Sequence, residues 1–252
     1  MSLLARYRGG DRAGAWAALA ALGPRVREPA HLDDAIAVAR AAMTRARANV
    51  ETVIARLRGQ GYVFGDAFGQ IAACAPHAPP DRATPGFVRW LEGRFGPLPL
   101  TLTAWIEIVG DVSLVGAHPA WPIDAVVDPL VIEVEYKSWA YVARDRAAVR
   151  ATHEEELAAW RDAGDGDGPF ALPVAPDALH KANISGGRPY GFALPEEAAD
   201  ATFRCEDDRL VRFIDYLNAA FRSGGFPGAA ALDLGARARG EIAALAEGLL
   251  EL

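Results

Sequence analysis

The chain predicts an α+β fold, with a central, mainly antiparallel sheet, flanking helices and a helical segment in front of them. Three patterns carry this expectation. Apolar residues recur at helical spacing through residues 11–59, and they alternate with polar ones at strand spacing from Pro129 to Tyr136. Between Leu91 and Gly116 an ordered series of stop signals joins helix to helix to strand.

Residues 11–22 predict a helix around Trp16, Leu19 and Leu22, closed by Gly23-Pro24. A longer helix follows, with Pro29 near its first turn and Asp33 and Asp34 where the helix dipole favours negative charge. Ile36, Met43, Val50 and Leu57 recur every seven residues, with Ala39, Ala46 and Val53 between them. That seam predicts a helix packed on its own chain, an intermolecular helical pair being the alternative. Arg40, Arg45, Arg47 and Arg56 occupy the rest of its surface. Residues 1–64 are thus a helical N-terminal segment, and residues 84–252 the main domain. Gly59 and Gly61 end the long helix, and Gly65 to Pro85 reads as loop. Cys74 and His77 within it supply fewer ligands than a zinc site requires, so no metal is expected.

Thr84 caps the next helix with Pro85 at its first position, Phe87, Val88 and Leu91 facing inward, and Gly93 and Gly96 closing it. Leu98-Pro99 opens a second helix carrying Leu102, Trp105, Ile106 and Val109; Gly110 stops it, and Val112, Leu114 and Val115 read as strand. From Pro129 to Tyr136, Leu130, Ile132, Val134 and Tyr136 alternate with Val131, Glu133 and Glu135. A strand is predicted there with one buried face and one partly charged face bearing both glutamates. Residues 145–161 form a polar helix or helical loop with Glu154 to Glu156 on a solvated face. Asp162 to Gly168 is a turn whose spacing fails for calcium, because Ala163 and Val174 stand where ligands are required. Phe170–Val174 and Tyr190–Leu194 are strands around a polar loop, Asp208–Arg222 is a helix, and a last helix runs from Ala236 to Leu250.

With 51% hydrophobic and 23% charged residues the chain is a folded globular protein and not a disordered one. The net charge of −7 opposes nucleic-acid binding and favours a basic partner. No stretch approaches the roughly 20 apolar residues of a membrane-spanning helix. Met1 to Gly10 has no signal-peptide core, and the two cysteines, Cys74 and Cys205, form no CxxC pair, so a cytoplasmic setting is expected.

Two polar clusters are candidate sites. His180, Lys181, Asn183, Ser185 and Arg188 lie in the densest polar run, where the Ser185-Gly186-Gly187 backbone would meet an anion or Ser185 would act as nucleophile with His180 as base. No Gly-x-Ser-x-Gly or Walker sequence supports catalysis, and the plain alternative is a strand-to-strand loop. His118, followed by Asp124 and Asp128, has the residue types of an acid, base or metal ligand; its plain alternative is a locked turn that buries Trp121.

The block Leu91-Glu92, Phe95-Gly96, Leu98-Pro99, Leu102, Trp105, Ile106 and Val109-Gly110 resembles the SUKH superfamily, which includes yeast cell-wall assembly regulators and bacterial immunity proteins of polymorphic toxin systems. Phe95-Gly96 stands where family members commonly carry Leu-Gly, and Val109-Gly110 where they carry Asn-Gly. The resemblance implies an α+β domain over residues 84–252 whose role is binding another protein, a basic toxin domain among the candidates, with no catalytic residues and no cofactor. The expectation is therefore a non-enzymatic binding module that uses the acidic face of Glu133 and Glu135 or the adjacent loops. The competing expectation is a hydrolase or small-ligand enzyme using His118 or His180 with a nearby Asp or Ser.

Overall fold

The computed structural model describes residues 2–65, 75–122, 126–136, 145–164, 168–184 and 186–252. Its architecture is α+β. Helices α1 (Leu3–Arg8), α2 (Arg12–Leu22) and α3 (Pro29–Gly59) come first. At 31 residues α3 is about 46 Å long. It buries Ala35, Ala39, Ala42, Met43, Ala46, Val50, Val53 and Leu57, whereas Ile36 is 37% exposed. The cause is geometric: a straight helix drifts about 20° per heptad from a seven-residue repeat, so a seam centred on Val50 leaves Ile36 to one side.

Strand β1 (Val63–Phe64) and β2 (His77–Ala78) are followed by α4 (Thr84–Phe95) and α5 (Leu100–Ala104). The chain then widens into a π turn over Trp105–Val109, with the Gly110 N–H donating to Trp105 O at 2.9 Å. This turn, α5 and α1 are the elements that α3 packs against most extensively. Gly110 has φ +85, and a Cβ there would stand 2.2 Å from Ala78 O, so both conformation and space require glycine.

β3 (Asp111–Ser113), β4 (Gly116–Ala117) and β5 (Val131–Ile132) complete two small antiparallel sheets, β1-β4 and β2-β3-β5. After α6 (Arg146–Ala163) comes the larger antiparallel sheet, β6 (Phe170–Ala175), β7 (Tyr190–Leu194), β8 (Thr202–Arg204) and β9 (Leu210–Arg212), in that spatial order. The Glu133 N–H donates to Val174 O at 2.8 Å and joins the sheets edge to edge. The short helix α7 (Ala178–Lys181) lies between β6 and β7, and α8 (Phe213–Arg222) and α9 (Gly235–Ala246) close the fold.

The core joins the two halves through aromatic rings. Trp105 meets Phe213 edge-on at 5.4 Å, Phe213 meets Phe192 at 4.8 Å, and Phe203 lies 5.0 Å from Phe192 and 4.6 Å from Tyr216. Each fully buried large apolar side chain stabilises by about 1.5–3 kcal/mol. On the opposite flank α3 holds residues 245–251 by their backbone. Asn49 both donates to Leu250 O and accepts from Leu250 N–H, Arg45 donates to Glu251 O, and Arg56 donates to Leu245 O and Glu247 O.

Several local expectations change: β2 lies in the stretch expected as loop, Ala83 and not Thr84 is the N-cap of α4, Gly93 lies inside α4, and the last helix ends at Ala246. Three further changes have a clear physical cause. The strand expected from Pro129 to Tyr136 is laddered only at Val131–Ile132, because Asp111 Oδ1 takes the Val134 and Glu135 N–H groups that a neighbouring strand would otherwise accept. The helix expected from Asp208 begins at Phe213: Asp207 and Asp208 both have φ +56, which no helix accommodates, and Leu210–Arg212 pair with β8 instead. The glutamates do not form an exposed acidic face, since Glu133 is buried and the Glu135 carboxylate is closed off by Arg146, which also binds Asp81. Asp162 to Gly164 and Gly168 flank positions 165–167 of the expected turn, which fall outside the described residues, as does Cys74. His77 donates from Nε2 to Val109 O at 2.7 Å.

Candidate functional site

The sequence from Asp177 to Tyr190 folds as a short helix and a glycine-rich return. Asp177 caps α7, its carboxylate accepting from the Leu179 and His180 N–H groups at 2.9 and 3.2 Å. The His180 ring folds back and donates from Nδ1 to Asp177 Oδ2 at 2.7 Å. Burial works against the Asp177 carboxylate, but the bonds from His180 and the Gly187 N–H outweigh it and hold its pKa below the ordinary value. Gly186 passes so close that a Cβ would stand 2.1 Å from Asp177 Oδ1, which explains a glycine there.

Beneath this cap lies a buried ionic cluster. Lys181, with no side-chain exposure, places Nζ 2.6 Å from Asp128 Oδ1 and 4.3 Å from the centre of the Tyr190 ring. Tyr190 donates its hydroxyl to Asp128 Oδ2 at 3.3 Å. Asp128 adopts φ +48, a conformation aspartate tolerates better than most residues. Burial lowers the Lys181 pKa, and the charge and hydrogen bond of Asp128 oppose the fall. Lys181 Nζ thus lies at ion-pair distance from Asp128 and at cation–π distance from the Tyr190 ring. Burial raises the pKa of the Cys205 thiol and the Tyr216 phenol at the edge of the same cluster.

The surface over the cluster is different. The Ile184 N–H donates to Leu179 O at 2.9 Å, holding these residues side by side, yet their side chains are 44% and 42% exposed. The β8–β9 turn exposes Glu206, Asp207 and Asp208, with Glu206 within electrostatic reach of Tyr190. Asn183 takes φ +59 in the turn after α7, and Arg188 is exposed on the return. Ser185 lies outside the described residues, so a role as nucleophile or anion ligand is not placed.

His118 belongs to another construction. Its Nδ1 accepts from the Ala120 N–H at 3.1 Å, so the proton of the neutral ring is on Nε2. The ring stacks on Trp121 at 4.5 Å, and the Trp121 indole donates to Glu241 of α9 at 3.1 Å. Burial lowers the His118 pKa, with Glu241 opposing and Arg237 assisting. Asp124 lies outside the described residues, and Asp128 sits with Lys181 and not with His118. Among the described residues His118 and His180 have no partner in common, so the two histidines do not build one catalytic pocket.

Sequence reasoning singled out Lys181 and His180 but not Asp177, Cys205 and Tyr216, which the fold brings near them. Asp177 carried a signal, an N-cap residue three positions before His180. Cys205 and Tyr216 carried none, because only the long-range packing of β8 and α8 brings them near Asp128. Among the described residues no group of three or more His, Cys, Asp or Glu side chains is placed to hold a metal ion. No helix of the described residues is long and apolar enough to cross a membrane. No protein-family model, curated protein or solved structure matches this chain.

Proposed function

We propose that this is a non-enzymatic protein-binding module of SUKH-like type, acting as an immunity or regulatory protein, whose contact surface is the α7 turn and the neighbouring β8–β9 turn. The observation that carries this reading is Leu179 and Ile184, two large apolar residues exposed on one turn and joined by a backbone hydrogen bond, with the turn fixed from below. The Asp177 cap and the Lys181–Asp128 bridge order that turn before any partner arrives, which reduces the conformational entropy that binding would cost. On the β8–β9 turn the exposed Glu206 and Asp207 offer carboxylates, which suits a partner that is apolar at its centre and basic at its rim, as a basic toxin domain would be.

The test is affinity capture with the wild-type chain and with the Leu179→Asp, Ile184→Asp double variant, followed by binding measurement on the recovered protein. A basic partner recovered only by the wild type supports the reading. Equal recovery by both chains, or no specific recovery by either, overturns it.

The second reading is enzymatic and rests on one contact, the 2.7 Å bond from His180 Nδ1 to Asp177, which orients a ring that is 55% exposed in the manner of a general base. It predicts that His180→Gln removes a hydrolytic activity of the wild type while leaving partner capture intact. Absence of activity on a panel of esters and amides counts against it.

A further inference from the structure

A second feature, independent of the α7 surface, is a cleft of about 380 Å³ between α2 and α8. Its α2 side is Ala13, Trp16, Ala17 and Ala20, which share one helix face, and Ala198 and Ala199 extend the same small-residue lining. The alanines leave the space open and the half-buried Trp16 ring stands as its apolar wall. The α8 side is polar, with Asp215, Asn218 and Arg222 spaced along one face.

The charged groups of the cleft divide into those already engaged and those that are not. Arg212 pairs with Glu196 at 3.2 Å and also donates to Asp200 O. The Asp200 carboxyl, pushed up to about 7 by burial, is engaged by the Thr101 hydroxyl and the Ile214 N–H. Glu251 lies 3.9 Å from Arg12, and Asn218 Oδ1 accepts the Leu252 N–H. Asp215 and Arg222 are left: both are exposed, and among the described residues neither makes an ion pair or a side-chain hydrogen bond. Seven helical residues separate them by about 10 Å along the cleft. An extended chain of three residues spans about the same length.

We propose that the cleft between α2 and α8 binds a short peptide of about three residues with free ends, its ammonium group at Asp215, its carboxylate at Arg222 and its side chains against Trp16 and the alanine lining. A single amino acid is too short to reach both charges. A chain blocked at both ends keeps the apolar contacts and loses both ion pairs.

Trialanine is the probe, titrated into the full chain at millimolar concentrations and followed by backbone and indole N–H resonances. The expected result is saturable shifts at Trp16 and Asn218. Blocking both peptide ends weakens binding about tenfold, and Asp215→Asn or Arg222→Gln alone weakens it about three- to fivefold, as expected for exposed ion pairs. Both side chains are exposed, so these variants retain the fold, and Ala17→Phe, at an exposed position, fills the cleft and abolishes the shifts. Absence of shifts at Trp16 and Asn218, equal binding of the blocked peptide, or binding unaffected by Ala17→Phe overturns the proposal.

Discussion

The loops around His118 and His180 carry similar residue types and are built on opposite plans. At His118 the titratable ring is itself the buried element, neutral and stacked on Trp121 against α9. At His180 the ring lies on the surface and the buried element is its neighbour, Lys181, in a bridge to Asp128. A histidine beside aspartates therefore does not define a site. What distinguishes the two is where the adjacent backbone anchors: the first loop buries an aromatic stack, and the second buries a charge and turns apolar side chains outward.

The sharpest way to break the contrast is to remove the charge from one side of the buried bridge. Lys181→Met leaves Asp128 buried without its ammonium partner, and urea unfolding is expected to register a loss of about 3–5 kcal/mol. The double variant Lys181→Met, Asp128→Asn recovers at least half of that, because asparagine keeps the left-handed backbone while carrying no charge. In the other loop Trp121→Ala removes the stack and the bond to Glu241, for an expected loss of about 2–3 kcal/mol in the same assay.

Acid sharpens the comparison further. The His118 pKa is lowered in the folded protein, so the unfolded chain binds more protons just below the ordinary histidine value of about 6.5. The His118 contribution is full above that value and declines as pH falls through it, by at most about 1.4 kcal/mol per pH unit. Unfolding measured from pH 7 to 5 should show a flatter profile in His118→Asn, whose side-chain oxygen still accepts the Ala120 N–H. The smallest effect belongs to the cap: Asp177→Ala is expected to cost about 1 kcal/mol and to speed hydrogen exchange at the Leu179 and His180 amides.

Where apolar spacing was the signal, the chain was readable. Phe87, Val88 and Leu91 on α4, and Leu102, Trp105 and Ile106 beyond it, are buried as their periodicity requires, and Gly96 and Gly110 end their helices in positive-φ conformations. The same spacing misled at Glu133 and Glu135, because alternation reports which side a residue faces and not whether another element covers that side. Arg146 of α6, 11 positions further on and outside the alternating stretch, covers Glu135. The β8–β9 hairpin was hidden because Leu210, Phe213, Ile214 and Leu217 also fit a helix, and the left-handed pair Asp207–Asp208 decides against it. The Asp128–Lys181 bridge joins residues 53 positions apart, and no local pattern encodes such a pairing.

The grip of α3 on residues 245–251 has a consequence for how this protein can change. Asn49, Arg45 and Arg56 contact only main-chain atoms there, and those atoms are the same whatever the amino acid. The exposed Glu247 is therefore free to drift under mutation as long as the backbone path is kept, whereas the three residues that hold that path are not. The constraint on this flank of the molecule is stored in the middle of one helix, and variation is released at the segment it holds.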